Sequence, residues 1–294
     1  MKARCTITIL IAVVLEACAA LFIDSRLLLA AIEASVAAAA LLSLTIFIRG
    51  PVREVRRRLE KTEEENRQLE TMRREFVANV THELKTPLTS ISGFIETLQA
   101  GAVNDPEVST KFLDIMSIET ARLKRIIEDI LVLSDIENKN EVIREDDIEI
   151  SRVMESITEI LKPVADSRGV KLVIDTQGDL HIRGDEDRFR QMMVNLIENA
   201  IKYSNPGGHV WITSKNDGDK TKVSVKDEGI GIAEENLGRL FERFYRVDKS
   251  RSRKVGGTGL GLSIVKHIAA LFDAELNVES KLGEGSVFTV TFKS

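Results

Sequence analysis

A histidine stands beside a carboxylate in the run Phe76-Val77-Ala78-Asn79-Val80-Thr81-His82-Glu83-Leu84-Lys85-Thr86-Pro87-Leu88. Neutral imidazole is nucleophilic near neutral pH because its unperturbed pKa is about 6.5. Glu83 can orient the His82 ring or take its proton as an electrophile arrives. On a helix, Thr86 shares the face of His82 one turn later, where its hydroxyl can position a water for the reverse hydrolysis. Pro87 removes a backbone donor and is expected to bend the helix beside the ring. Most helical histidines are structural. His181 and His209, expected at strand edges, and His267, in a C-terminal helix, are read as structural or solvated.

A second group of residues suits a nucleotide. Asn195 and Asn199 lie one turn apart on a predicted helix, so their amides share a face. Amide oxygens suit a hard cation such as Mg²⁺, which keeps several waters and binds phosphate oxygens. Lys202 and Tyr203 extend that helix and offer a cation for phosphate and a ring for a base or sugar. Asp227 ends a predicted strand, where its carboxylate can accept from an exocyclic amine such as that of adenine. Gly229 and Gly231 follow it and permit close backbone approach. Gly256-Gly257-Thr258-Gly259-Leu260-Gly261 leads into a helix, and exposed amides at a helix start favour phosphate. The spacing is not that of a P-loop, and no strand leads directly into it as in a dinucleotide fingerprint. Arg246 can contact phosphate, while Phe241 and Phe244 anchor the base of a mobile lid over 248–255. Singly, each feature has a plainer reading as a polar helix face, a turn or a loop.

The elements that must hold these residues follow from periodicity. Val52, Val55, Leu59, Thr62, Asn66, Leu69, Arg73, Phe76 and Val80 step by three and four, as in a signalling coiled coil over 49–75. The helical pattern continues to Leu98 and breaks at Gly101 and Asn104-Asp105-Pro106. A second amphipathic helix runs from about Glu107 to Ile136. The two form a hairpin over 76–137 whose wide apolar stripe calls for a second copy, giving a four-helix bundle and a homodimer. A polar hinge over 138–147 follows. Over 148–294, helices at Ser151–Ser167, Asp185–Tyr203 and Thr258–Phe272 mix with strands at Lys171–Asp175, Val210–Lys215, Thr221–Asp227, Glu275–Ser280 and Ser286–Phe292. That is an α/β sandwich, one sheet covered by helices.

Upstream, 6–23 and 27–48 are apolar runs long enough, or nearly so, for a hydrocarbon core of about 30 Å. Separated by Asp24-Ser25-Arg26, they read as a membrane α-hairpin over 1–48. Lys2 and Arg4 before it, and Arg49, Arg53, Arg56, Arg57 and Arg58 after it, place both ends in the cytoplasm. A cleaved signal peptide is the rival reading, opposed by Glu16 and by the second run. Glu16 and Glu33 lie at similar depth, and costly intramembrane carboxylates often mark function; here they are sensing residues or passengers. The 294 residues suit about two domains. A net charge of -5 makes nucleic acid an unsuitable direct partner. Cys5 and Cys18 are the only cysteines, which excludes a disulfide framework or thiolate metal site downstream.

Residues 76–88 resemble the phosphoacceptor box of bacterial sensor histidine kinases, and the downstream motifs resemble the ATP-binding domain those kinases share with type II topoisomerases and heat-shock chaperones. The resemblance runs from about Leu69 to the C-terminus. It implies ATP-dependent phosphorylation of a nitrogen of His82 with Glu83 as acid/base partner, then transfer to an aspartate of a response regulator. It associates Thr86 with phosphatase activity towards that regulator. It implies that Asn199 binds Mg²⁺ with Asn195 assisting, and that Asp227 reads adenine. Lys202, Arg246 and Gly257-Thr258-Gly259-Leu260-Gly261 then handle phosphates. Joined to the apolar hairpin and its flanking positive charges, the kinase reading gives a multi-pass protein in lipid at the bacterial inner membrane, its catalytic domains cytoplasmic. A phosphatase-dominant protein, an ATP-binding scaffold and a topoisomerase-type clamp are the alternatives. The clamp gives no reason for the His82 box.

Overall fold

The computed structural model describes residues 11–18, 26–137, 144–178, 180–247 and 257–293. It divides into two compact units, Met1–Glu75 and Phe76–Ser294. Helix α2, Arg26–Gln99, contributes to both.

In the first unit, residues 11–18 form a helical segment, α1. A cavity of about 290 Å³ is lined by Val13, Glu16, Ala17, Leu29 and Ile32. Glu16 is half-buried against it and Glu33 is exposed, so two carboxylates of similar expected depth have different surroundings. Among the described residues no helix is long and apolar enough to cross a membrane. The separator Asp24-Ser25, the charges Lys2 and Arg4, and Cys5 lie outside the described residues. Along the expected coiled coil, Leu59 and Leu69 are exposed in the single chain. The pairs Lys61–Glu65 and Glu70–Arg74, each at 3.7 Å, join one turn to the next but are solvated and add little stability.

In the second unit, α2 ends at Gln99, and Gly101 takes φ 120°, a conformation that favours glycine. A 3₁₀ turn, Ala102–Asn104, leads to α3, Pro106–Glu137. Asp105 caps α3 by accepting from the N–H groups of Glu107 (3.0 Å) and Val108 (3.2 Å), with Pro106 at the first helical position. Phe94 packs on Phe112 beside the turn, ring centroids 4.8 Å apart. Ile126 and Leu133 are buried, whereas Leu88, Leu113, Ile118 and Leu131 are exposed. The α2 assignment continues through Pro87, which is buried.

Residues 138–143 of the expected hinge lie outside the described residues. Its last part is not hinge but strand: β1, Asp146–Glu149, pairs antiparallel with β3, His181–Gly184. Each contributes one buried apolar side chain, Ile148 and Ile182, too few for a sequence period. Helix α4 (Ile150–Ser167) and strand β2 (Lys171–Thr176) follow β1, and α5 (Glu186–Tyr203) follows β3. The Asp185 carboxylate caps α5, accepting from Arg188 N–H at 3.0 Å.

The rest is β4 (His209–Asp217), β5 (Lys220–Asp227), the short α6 (Glu234–Leu237), α7 (Gly261–Leu271), β6 (Glu275–Lys281) and β7 (Gly285–Lys293). Strand order is β2-β4-β5-β7-β6, with β2 and β4 parallel and the other pairs antiparallel. Burial alternates along β4 and β5, so one face of the sheet carries the core. Met154, Met192, Leu196, Ile264 and Ile268 of the helices meet Ile212 and Val225 of the sheet, all essentially inaccessible. Each such side chain stabilises the fold by roughly 1.5–3 kcal/mol. Phe189, Phe272 and Phe292 form an edge-to-face triad, centroids 5.6–6.3 Å apart, where the start of α5, the end of α7 and β7 converge.

Candidate active site

His82 lies on the solvent side of α2 with its side chain 80% exposed. Its Nδ1 is 4.0 Å from Glu83 Oε1, which leaves Nε2 as the outward nitrogen. The other carboxylate oxygen, Oε2, accepts from Arg122 Nη2 at 2.7 Å and lies 3.9 Å from Arg246 Nη1. Arg122 is nearly inaccessible and also approaches Glu119 at 3.8 Å. A buried guanidinium demands such partners. The Thr86 hydroxyl donates to the backbone oxygen of His82 at 3.1 Å, so here it is engaged with the helix one turn back.

Sequence reasoning missed Arg122, which comes from the opposite helix. A signal was present. Ile115, Glu119, Arg122, Ile126, Asp129 and Leu133 step by four and three along the inward stripe of α3. A charge on such a stripe requires a partner across the hairpin.

The nucleotide residues converge at the C-terminal half of α5. A Cβ at Gly261 would sit 3.1 Å from Asn195 Oδ1 and 4.0 Å from Asn199 Nδ2, and one at Gly257 would run into Lys202 Nζ. The 257–261 loop therefore lies on the predicted Asn195, Asn199 and Lys202 face. Gly259, at φ 76°, packs on the Phe244 backbone, and its carbonyl accepts from Phe244 N–H at 2.9 Å. Leu260 is fully buried, so its side chain serves the core. Helix α7 begins at Gly261, three residues later than expected, because Thr258 to Leu260 form this loop. Lys202 Nζ stands 5.0 Å over the Tyr203 ring. Burial, then Arg246, Arg168 and Arg125, lower the Lys202 ammonium to about 8, so it remains mostly charged at neutral pH.

Asp227 ends β5 and is 4% exposed. Its Oδ1 accepts from Gly229 N–H at 2.8 Å. Burial pushes its carboxyl up to about 6, against the backbone donors of Gly229 and Ser286. Gly229 and Gly231 approach protein backbone: a Cβ at Gly229 would meet the Tyr203 carbonyl, and one at Gly231, whose φ is 61°, the Lys281 carbonyl. The other histidines are engaged locally. His181 meets Asp147 at 3.1 Å, His209 meets Glu228 at 3.2 Å, and His267 meets the Ser263 carbonyl at 2.7 Å. The lid residues 248–255 and Gly256 lie outside the described residues.

No cluster of His, Cys, Asp and Glu able to hold a metal occurs among the described residues. The Asn195 and Asn199 amides beside the side-chain-free start of α7 nevertheless suit a hydrated Mg²⁺ carried in by phosphate. The buried Asp227 acceptor and the glycine loop suit an adenine nucleotide.

Comparison with known proteins agrees with this geometry. Residues 72–139 match the His Kinase A (phospho-acceptor) domain, and residues 184–294 match the Histidine kinase-, DNA gyrase B-, and HSP90-like ATPase. A phosphoacceptor hairpin followed by such an ATPase module defines a two-component kinase core. The chain belongs to the sensor histidine kinases. It is 38% identical over 229 residues to sensor histidine kinase WalK of Bacillus subtilis (strain 168), covering 77% of this chain and 38% of WalK. It is 38% identical over 227 residues to the sensor-like histidine kinase SenX3 of Mycolicibacterium smegmatis, covering 77% of this chain and 59% of SenX3. The chain thus spans about two fifths of WalK and three fifths of SenX3, less than two thirds of either. Among solved structures, histidine kinase ThkA in complex with response regulator protein TrrA aligns with TM-score 0.64 at 27% identity, over 79% of this chain and 66% of that one. Acinetobacter baumannii histidine kinase AdeS aligns with TM-score 0.59 at 25% identity, over 72% of this chain and 97% of that one.

Proposed function

We propose that this chain is a homodimeric, membrane-anchored protein-histidine kinase that phosphorylates His82 from ATP and passes the phosphoryl group to an aspartate of a response regulator. The observation that carries the reading is the exposed His82 ring, paired with Glu83, in the same compact unit as the Asp227, Asn199 and glycine-loop cradle.

In the transfer step the His82 Nε2 lone pair forms a bond to the γ-phosphorus. The bond from that phosphorus to the β–γ bridging oxygen breaks, and the electron pair leaves with ADP. Glu83 stabilises the imidazolium that develops and takes the Nδ1 proton. Asn199, with help from Asn195, would hold a Mg²⁺ whose charge would offset that of the phosphates, while Lys202, Arg246 and the loop amides orient the phosphates. Asp227 accepts from the adenine amine.

The regulator partner is supported by the ThkA–TrrA complex, which shows a related kinase holding such a protein. The dimer is supported by exposed apolar residues on both hairpin helices, Leu88 on α2 and Leu113, Ile127 and Leu131 along one face of α3. The membrane hairpin over 6–23 and 27–48, and with it an inner-membrane, multi-pass location in lipid, rests on the apolar runs and flanking arginines. A phosphatase activity towards the regulator rests on Thr86 alone.

Incubation of the full chain in bilayers with γ-labelled ATP and Mg²⁺ tests the reading. Acid-labile, base-stable label is expected on the wild type and none on His82→Gln. Label persisting on His82→Gln refutes the acceptor. Thr86→Ala is expected to slow dephosphorylation of the regulator while leaving its phosphorylation within a few-fold.

A further inference from the structure

The glycine loop is fastened to the helical hairpin. The Thr258 hydroxyl donates to Asp129 Oδ2 of α3 at 2.7 Å, and Thr258 Oγ1 itself accepts from Leu260 N–H at 3.2 Å. One side chain therefore ties the loop to the hairpin and fixes the loop's own shape. Asp129 is half-buried. Burial holds its carboxyl above the ordinary range, opposed by the Thr258 bond, reinforced by Glu198 and opposed by Arg125.

The level of this fastening matters. Glu83 faces Arg122 across the antiparallel hairpin. Two turns back along α2 from Glu83 stands Phe76, and two turns on along α3 from Arg122 stands Asp129. Both therefore lie about 10 Å from the level of His82. The α/β module grips this same level a second time. Phe244 packs on Phe76 with centroids 5.9 Å apart, and the Arg243 guanidinium stands 5.1 Å over the Phe76 ring. Phe244 is in turn bonded to Gly259. Arg246 of the same module already reaches Glu83, at 3.9 Å, so it is the Thr258 turn of the phosphate-handling loop that is held two turns from the ring, and a triphosphate on that loop would bring negative charge against Asp129.

We infer that Asp129 is a positioning residue for phosphoryl transfer, whose hold on Thr258 fastens that turn of the nucleotide loop to the hairpin and opposes nucleotide loading. This rests on the kinase reading and goes beyond it. Coupling is reciprocal: whatever makes the triphosphate weaken the Asp129 contact makes that contact weaken triphosphate binding. A hydrogen bond to a charged acceptor is strong enough that its loss should raise ATP affinity about ten-fold.

The test uses the full chain with Asp129→Ala and Asp129→Asn. Affinity for Mg²⁺-ATP is measured in the His82→Gln background, where no phosphoryl transfer to that ring intrudes. A wrong acceptor assignment therefore leaves this readout intact. KM for ATP and kcat are measured separately with His82 present. Asp129→Ala is expected to tighten ATP about ten-fold, to lower KM in step and to raise kcat. Asp129→Asn keeps the shape and an acceptor oxygen, so it guards against misfolding. Tightening in the alanine variant alone assigns the effect to the hydrogen bond, tightening in both assigns it to the charge, and either supports the inference. ATP affinity within two-fold of the parent in both variants overturns it, as does weaker binding in both.

Discussion

Asp227→Asn should make the protein more stable and nearly unable to hold adenine. The Asp227 carboxyl is 4% exposed, and burial lifts it from 3.8 to about 6. Its folded pKa lies above its unfolded one, so the native state binds the proton more tightly. The associated stability is fully present below pH 4 and is lost as pH rises through about 6. The shift of about two units corresponds to roughly 3 kcal/mol of stability forgone at pH 8. An amide there carries no charge to desolvate and keeps an oxygen for Gly229 N–H. Asp227→Asn should therefore raise the melting temperature by several degrees at pH 8 and by little at pH 4. Adenosine is the ligand to titrate, because it has no phosphate to ionise. Its affinity for the parent chain should fall about ten-fold per unit below pH 6, as the carboxylate acquires a proton and stops accepting from the amine. Adenosine binding to Asp227→Asn should be weak and flat with pH. A lower melting temperature at pH 8, or adenosine binding to the parent that is unchanged between pH 7.5 and pH 5, would refute the reasoning.

Two further outcomes follow from the hairpin. Arg122→Met removes a nearly inaccessible guanidinium and leaves the part-buried Glu83 without its 2.7 Å partner, and should cost about 1–3 kcal/mol in denaturant unfolding monitored by circular dichroism. Ile127→Glu with Leu131→Glu places charge on neighbouring side chains of one α3 face, 45% and 57% exposed in the single chain. Sedimentation should show a weakened dimer, with the α/β sandwich still binding nucleotide.

What the sequence revealed divides by distance along the chain. His82, Glu83 and Thr86 are neighbours on one helix, so their spacing alone placed them together. The Asn195 to Tyr203 face, the Asp185 cap and the hairpin of β4 and β5 were equally local patterns. Contacts between distant elements were hidden. Arg122 meets Glu83 from the facing helix, and Thr258 meets Asp129 from another module. Strands β1 and β3 were too short to show a period. The glycines misled in part: Gly229 and Gly231 accommodate the Tyr203 and Lys281 carbonyls, a packing demand that sequence cannot separate from a ligand's.

The phenylalanine triad gives the sandwich a fulcrum. Phe189 opens α5 and Phe272 closes α7, so these antiparallel helices are clasped at one end. Their opposite ends carry Asn199 and Lys202 on one arm and Gly261 on the other. Such an arrangement resembles tweezers, riveted by aromatic rings at one end and held at the other by the buried Ile197, Ile201, Leu260 and Ile264. A looser ring grip should therefore change the spacing of the tips, the distance on which the approach of Gly261 to Asn195 depends.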